Sequence, residues 1–189
     1  MNRLEFFSLL RNLPPPDLKL VQNAYWYAKN VHRLDRRDSG ERYFEHCRRV
    51  PLILIQERGI YEARTIATGL THDSVEDTFA PPDVLLALLG PEVYESVEIL
   101  SKTTPAFDCL TGLMVARGKK DTELYWEQIV KAPARARLVK CADRLDNLRS
   151  FGIWSEERRQ RYVAETKRWI LPIASATDPW FVVEMAKYL

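Results

Sequence analysis

The sequence predicts an all-α protein on three observations. Apolar residues recur at three-to-four spacing almost throughout, alternating strand patterns are almost absent, and proline and glycine cut the chain into helix-sized pieces. The first piece, 3–12, is closed by the run Pro14-Pro15-Pro16. The second, 17–33, carries Leu18, Val21, Ala24, Tyr25 and Ala28 at helical steps. A third, 43–58, stops at Gly59, and a fourth covers 62–74. Pro81-Pro82 opens 82–89, where Val84, Leu85, Leu88 and Leu89 keep the pattern, and Gly90-Pro91 separates it from 91–102. Residues 103–120, with Pro105, Gly112, Gly118 and weak periodicity, read as a loop beside or over a site, ending in the basic run Arg117-Gly118-Lys119-Lys120. Helices follow over 121–131, 134–150, 155–169 and 171–188.

At 189 residues the chain fits one domain, 1–189, large enough to bury roughly 70% of the surface its unfolded form exposes. No internal repeat or Ser/Gly linker suggests a boundary. Cys47, Cys109 and Cys141 are scattered without CxxC spacing; an odd count without a framework points to a reducing compartment, and cytoplasm is the expectation. The opening residues are broken by Glu5, Arg11 and the proline run, leaving no signal-peptide core, and no apolar stretch has membrane length. A net charge of +2 gives no reason to expect a nucleic acid as partner. The expected partner is a small anionic ligand, with no membrane, and self-association into a homo-oligomer is left open. No GxxxxGK[ST] or GxGxxG loop occurs, so phosphates would have to be held by side chains and a metal.

The residues that point to chemistry are His46, the pair His72-Asp73, and Asp143. Imidazoles and carboxylates together suit a divalent metal such as manganese, iron or zinc, and four protein ligands on a six-coordinate ion leave positions for water and a phosphate oxygen. Metal-assisted hydrolysis is the chemistry this implies. After His72-Asp73 come Glu76 and Asp77, each four residues beyond a candidate ligand. Crowded carboxylates raise one another's pKa unless a cation neutralises them, and with Asp73 on a metal these two are free to handle protons. Lys140, Asp143, Asn147 and Ser150 fall at three- and four-residue steps and share a stripe that could wall a phosphorylated sugar, whereas Asp146 and Arg149 are expected to project into solvent. Arg37, in a basic turn before His46, could stack on a base or clamp a phosphate. His32 reads as structural, Trp126, Trp154, Trp169 and Trp180 as core or interface, and Arg158, Arg159 and Arg161 as a solvated helix face.

At these residues the chain resembles the HD-domain phosphohydrolases, and within them the hydrolase domain of the RelA/SpoT alarmone enzymes and its small stand-alone forms. The pattern R-x-S-G-x-x-Y-x-x-H, H-D-x-x-E-D-T and D-R-x-x-N appears as Arg37 to His46, His72 to Thr78 and Asp143 to Asn147. The likeness spans about residues 25–175. It implies an HD-type helical bundle with manganese on His46, His72, Asp73 and Asp143, and with Glu76 and Asp77 activating the attacking water. It also implies Arg37 at the guanine, with Asn147 and Ser150 at ribose and phosphates beside Lys140. The implied reaction is removal of the 3′-pyrophosphate from guanosine tetraphosphate or pentaphosphate. Three positions depart from the pattern. Cys47 stands where proline is usual, with Pro51 a turn later; Asp38 replaces a lysine; Asp146 replaces a common histidine. An acidic Asp38 near the nucleotide would disfavour an extra phosphate or read a different base edge. That keeps open the same site acting on an adenosine alarmone, NADPH or a nucleoside phosphate, beside a silent nucleotide sensor.

Overall fold

Caps and prolines set where the helices begin in the structure, a computed structural model that describes residues 2–78, 81–112 and 114–189. Helix α1 (Arg3–Ser8) starts on a reciprocal pairing of Asn2 with Glu5. Helix α2 (Pro15–Val31) opens on proline, whose missing N–H is one of the unpaired donors of a first turn anyway. Helix α3 (Tyr43–Leu52) contains Pro51 and widens into a π-type turn over Ile53–Glu57. Helix α4 (Ala63–Thr71) is capped by the Glu62 carboxylate and is followed after His72-Asp73 by the single turn α5 (Ser74–Asp77). Helices α6 (Pro82–Leu89) and α7 (Pro91–Leu100) come next, then strands β1 (Thr103–Phe107) and β2 (Met114–Lys119), paired antiparallel. Helices α8 (Thr122–Lys131), α9 (Ala134–Ser150), α10 (Glu156–Glu165), α11 (Leu171–Thr177) and α12 (Trp180–Ala186) complete the chain.

The centre is α4. Every residue in it except Arg64 is buried, and it packs against α2, α3, α7 and α9. A helix surrounded on all sides cannot leave polar groups unpaired, and the buried hydroxyls of Thr68 and Thr71 donate to the carbonyls of Arg64 and Ala67. Gly69 faces α3: a Cβ added there would sit 3.4 Å from Pro51. Two apolar clusters flank the centre. One joins Phe6, Tyr25, Phe44, Ile66, Leu70 and Val97; the other joins Leu54, Trp126, Ile129, Leu145, Ile170 and Phe181. Helix α3 contributes to both, Cys47 to the first and Val50 to the second.

The helical class stands, with differences that have physical causes. The expected loop over 103–120 is a two-stranded ribbon, though it does lie beside the candidate site. The expected helix 62–74 ends at Thr71, and the turn at His72-Asp73 re-aims the chain into α5. The expected helix 171–188 breaks at Asp178-Pro179, because the residue before a proline is driven out of helical geometry. The Asp178 carboxylate accepts from Trp180 N at 3.1 Å and Arg58 Nε at 2.6 Å. No helix among the described residues is long and apolar enough to cross a membrane, and the three cysteines are unpaired.

The closeness of α3 and α4 is testable at Gly69. Gly69→Ala adds a methyl at ordinary contact distance and should leave stability near wild type. Gly69→Leu must force the helices apart and should cost about 1–3 kcal/mol in urea unfolding. A wild-type denaturation midpoint for Gly69→Leu would refute the tight contact.

Candidate metal centre

Three separate elements deliver the candidate ligands to one place. His46 sits one turn into α3, His72 follows the last residue of α4, and Asp143 lies in the middle of α9. Each is almost fully buried, and each offers a ligand atom within 4.8 Å of the other two. Nε2 of His46 and of His72 lie 3.4 and 3.7 Å from Asp143 Oδ1. Asp73 stands beside this group, its Oδ2 3.0 Å from His72 Nε2 and 3.6 Å from His46 Nε2. The same oxygen accepts from the Tyr43 hydroxyl at 2.7 Å.

Both imidazoles are oriented by their far nitrogens. His72 Nδ1 is 2.8 Å from the Gly69 carbonyl, which can only accept, so that nitrogen carries the proton. His46 Nδ1 is 2.7 Å from Asp146 Oδ2, with the same consequence. In the neutral rings Nε2 is therefore a bare lone pair aimed into the cluster, and His72 Nε2, buried, makes no hydrogen bond there. Two oriented lone pairs converging with two carboxylates form a donor set that fits a divalent cation.

Without a cation the cluster must balance itself with protons. Burial disfavours charge on His46, but bonding to Asp143, Asp146 and Asp73 outweighs it and pushes the imidazole up to about 9. His72 is raised likewise against its burial, chiefly by Asp73 and Asp143. Burial would keep Asp73 and Asp143 protonated, yet the imidazoles, with Lys140 at Asp143, hold both well below the usual carboxylate range. Glu76 and Asp77 have weaker opposing neighbours, Lys102 and Lys140 for the first and Tyr43 and His32 for the second, and these are outweighed. Burial, reinforced by the charge of Asp73, raises Glu76 and pushes Asp77 up to about 6.

A cleft of about 330 Å³ opens over the cluster. Asp73, Glu76, Asp77, Lys140, Asp143, Asn147, Ser150 and Arg37 all line it, while His46 and His72 are buried behind Asp73 and Asp143. The α9 stripe is bonded along its length: Lys140 Nζ lies 3.1 Å from Asp143 Oδ2, and Asn147 Nδ2 donates to Asp143 Oδ1 at 2.6 Å. Arg37 reaches across from the turn before α3, donating to Asn147 Oδ1 at 2.5 Å and Ser150 Oγ at 3.4 Å. That turn closes through Gly40, whose φ of +81° only glycine adopts freely, and whose N–H bonds the Arg37 carbonyl at 2.8 Å. The ribbon fixes Glu76, whose Oε2 accepts from Lys102 N at 2.7 Å and whose carbonyl accepts from Arg117 at 2.6 Å.

Several residues differ from the sequence expectation. Asp146 is not solvated: it is 3% exposed and bonded to His46 and to Arg49. Arg149 is exposed as expected. Arg158 and Trp154 line the cleft rather than a bare helix face or the core, with the Arg158 guanidinium 3.9 Å over the Trp154 ring and bonded to Asp38 at 2.6 Å. Tyr162 and Arg144 join them, stacked at 3.8 Å. Arg158 and Tyr162 are four apart on α10, the sequence signal that could have marked them as one surface, whereas Trp154 precedes that helix. His32 stays out of the ligand cluster. It bonds Asp35 at 3.0 Å and stacks on Tyr43, supporting the ring that bonds Asp73.

A profile of the HD domain matches residues 24–180. A GTP pyrophosphokinase of Myxococcus xanthus is 37% identical over 175 residues, covering 91% of this chain and 22% of that protein. GTP pyrophosphokinase rsh of Brucella melitensis is 34% identical over 164 residues, 87% of this chain and 21% of that protein. The chain thus spans about a fifth of the length of these curated relatives. A solved structure described as a metazoan ortholog of SpoT that hydrolyses ppGpp and plays a role in starvation responses superimposes with a TM-score of 0.75 at 26% identity, covering 94% of this chain and 96% of that one.

The electrostatics yield a pH dependence. His46 holds its proton up to about 9 in the metal-free protein, and a metal must displace that proton to reach Nε2. Affinity should therefore rise with pH, by roughly tenfold per unit for each proton displaced, between pH 7 and 8.5. Calorimetric titration with manganese in buffers of different ionisation enthalpy checks this, and a pH-independent dissociation constant would contradict it.

Proposed function

The chain belongs to the HD-domain family, and from that premise we propose that it is a metal-dependent hydrolase removing the 3′-pyrophosphate from guanosine tetraphosphate and pentaphosphate. The observation that carries the reading is one cleft lined by two candidate ligands of the metal cluster, by the carboxyl pair Glu76 and Asp77, and by the polar set Arg37, Asn147, Ser150 and Lys140. The curated relatives bear synthetic names, but this chain corresponds to a fifth of their length. The structural relative described as hydrolysing ppGpp is covered over 96% of its chain, so the activity ascribed to it belongs to a unit of this size. That comparison supports hydrolysis over synthesis.

His46, His72, Asp73 and Asp143 would hold the cation, and manganese suits their mixed nitrogen and oxygen donors. Bound there, it would supply Lewis acidity at a phosphoryl oxygen and a water of lowered pKa. Glu76 and Asp77 then take the proton of the attacking water: the raised pKa of each gives basicity, while a value of about 6 at Asp77 leaves that carboxyl ionised at neutral pH. The water oxygen joins phosphorus, the bond from phosphorus to the ribose 3′-oxygen breaks, and the carboxyl pair can return a proton to that oxygen. Lys140 neutralises the outer oxygen of Asp143. Arg37, steadied by Asn147 and Ser150, presents its guanidinium to the base or a phosphate.

One observation favours a second substrate for the same chemistry. Asp38 already neutralises Arg158 at the cleft, removing a cation that an extra phosphate would use. An adenosine alarmone, NADPH or a nucleoside phosphate then becomes the alternative.

Incubating metal-stripped protein with and without manganese against these compounds, with products resolved by anion exchange, separates the readings. Pyrophosphate released from the guanosine alarmone is the expected result; orthophosphate from another compound transfers the activity to the second reading, and no turnover at all overturns both. Asp73→Ala should lose bound metal and activity together, and wild-type manganese stoichiometry would remove Asp73 from the ligand set. Glu76→Gln should keep the metal while kcat drops on the order of 10²–10⁴-fold. An undiminished kcat would exclude Glu76 as the base.

A further inference from the structure

Asp146 is buried, contacts none of the reacting groups directly, and gathers three cationic or proton-donating neighbours from two other parts of the chain. Its Oδ2 receives His46 Nδ1–H at 2.7 Å. Its Oδ1 receives Arg49 Nε at 2.7 Å, and Arg49 Nη1 continues to Glu41 Oε1 at 2.7 Å. Arg37 Nη1 lies 3.5 Å from Oδ2. Glu41 and Arg37 belong to the turn that presents Arg37 to the cleft, and they bond each other across its backbone at 2.9 Å. One carboxylate therefore touches the ring of a candidate metal ligand on one side and Arg37 of the substrate-facing turn on the other, and reaches Glu41 of that turn through Arg49.

We propose that Asp146 is a positioning residue that fixes the His46 ring for metal binding and, through Arg37 and Arg49, sets the turn that meets the substrate. The inference rests on the metal-dependent reading above. Its physical basis is that a carboxylate accepting from Nδ1–H locks the tautomer, leaves Nε2 bare and raises its basicity toward a cation. The same anion neutralises Arg37, so that this guanidinium is held at the cleft instead of turning to solvent. Arg49 keeps Glu41 when Asp146 is removed, whereas Arg37, 12% exposed at its side chain, loses its anion and keeps its bonds to Asn147 and Ser150.

The test uses manganese alone first. Asp146→Ala should bind manganese about 10–100-fold more weakly than wild type and lose the downfield ¹⁵N-detected signal of His46 Nδ1–H. Its KM for the nucleotide should rise beyond the change in kcat measured at saturating metal. Asp146→Asn keeps an acceptor for Nδ1–H and lacks the charge. It should retain the His46 signal and most of the metal affinity while still raising KM, a split that a purely structural role would not produce. Equal manganese affinity and an unchanged His46 signal in Asp146→Ala would overturn the proposal. Should Asp146→Ala fail to fold, an unchanged KM in Asp146→Asn would overturn it. Wild-type protein that binds no manganese would instead sink the metal-dependent reading itself, and this role with it.

Discussion

Bringing two imidazoles and two carboxylates together, mostly buried, between α3, α4 and α9 is the constraint on which the rest of this structure depends. Isolated charges in such a place carry a desolvation penalty of several kcal/mol each, and they persist only when every group has a partner of the right kind. The chain satisfies this with a partner for each group: the Tyr43 hydroxyl donates to Asp73, Lys140 and Asn147 donate to Asp143, the Gly69 carbonyl accepts from His72, and the Asp146 carboxylate accepts from His46. These partners come from the same three helices or their immediate ends. The helices must therefore approach closely, and Gly69 against Pro51 allows it. Packing and site chemistry are two views of the same contact.

Much of this was legible in the sequence because helical periodicity and site spacing report the same geometry. The stripe from Lys140 to Ser150 could be drawn from spacing alone, and the structure puts all four of its members in the cleft. The same reasoning misplaced Asp146. It lies three residues after Asp143, about 60° round the helix, and a stripe drawn as a line excludes a neighbour that a face of ordinary width includes. Whether that flank meets water or α3 is a tertiary fact, and no local pattern carries it. The ribbon was hidden for a different reason. Thr103 to Phe107 and Met114 to Lys119 contain Pro105 and Gly118, residues that weaken a strand signal. A two-stranded ribbon is marginal by itself, so its order depends on contacts such as Lys102 and Arg117 on Glu76.

The turn at His72-Asp73 shows how local backbone serves electrostatics. Had α4 continued unbroken, the approach of Glu76 and Asp77 to the ligands would have followed from helical spacing alone. Instead α4 ends, and α5 carries both carboxyls to the cleft, where the ribbon holds Glu76 by its backbone and side chain. Separating Asp73 from the pair Glu76 and Asp77 has a consequence for their protonation. Asp73 is matched with cationic rings and stays ionised, whereas Glu76 and Asp77 are buried near its negative charge and become more basic. Two environments a few residues apart thus give the carboxyls of one acidic run different basicities.

At the mouth of the cleft the relevant magnitudes are smaller, and they favour discrimination over tight closure. Asp38 and Arg158 are each about half exposed, 56% and 49% at the side chain. A pair in that setting contributes about 0–1 kcal/mol. It is too weak to hold the walls of the cleft together against a bound ligand. Displacing Arg158 is therefore cheap, but Asp38 then remains as an uncompensated anion beside whatever has taken the place of Arg158. A phosphate arriving there meets one cation and one like charge, while a base edge or hydroxyl that donates hydrogen bonds finds in Asp38 a free acceptor. Trp154 beneath the guanidinium adds an aromatic face at the same spot. Under the proposed function, selectivity at this end of the cleft would thus follow from what Asp38 repels more than from what Arg158 attracts.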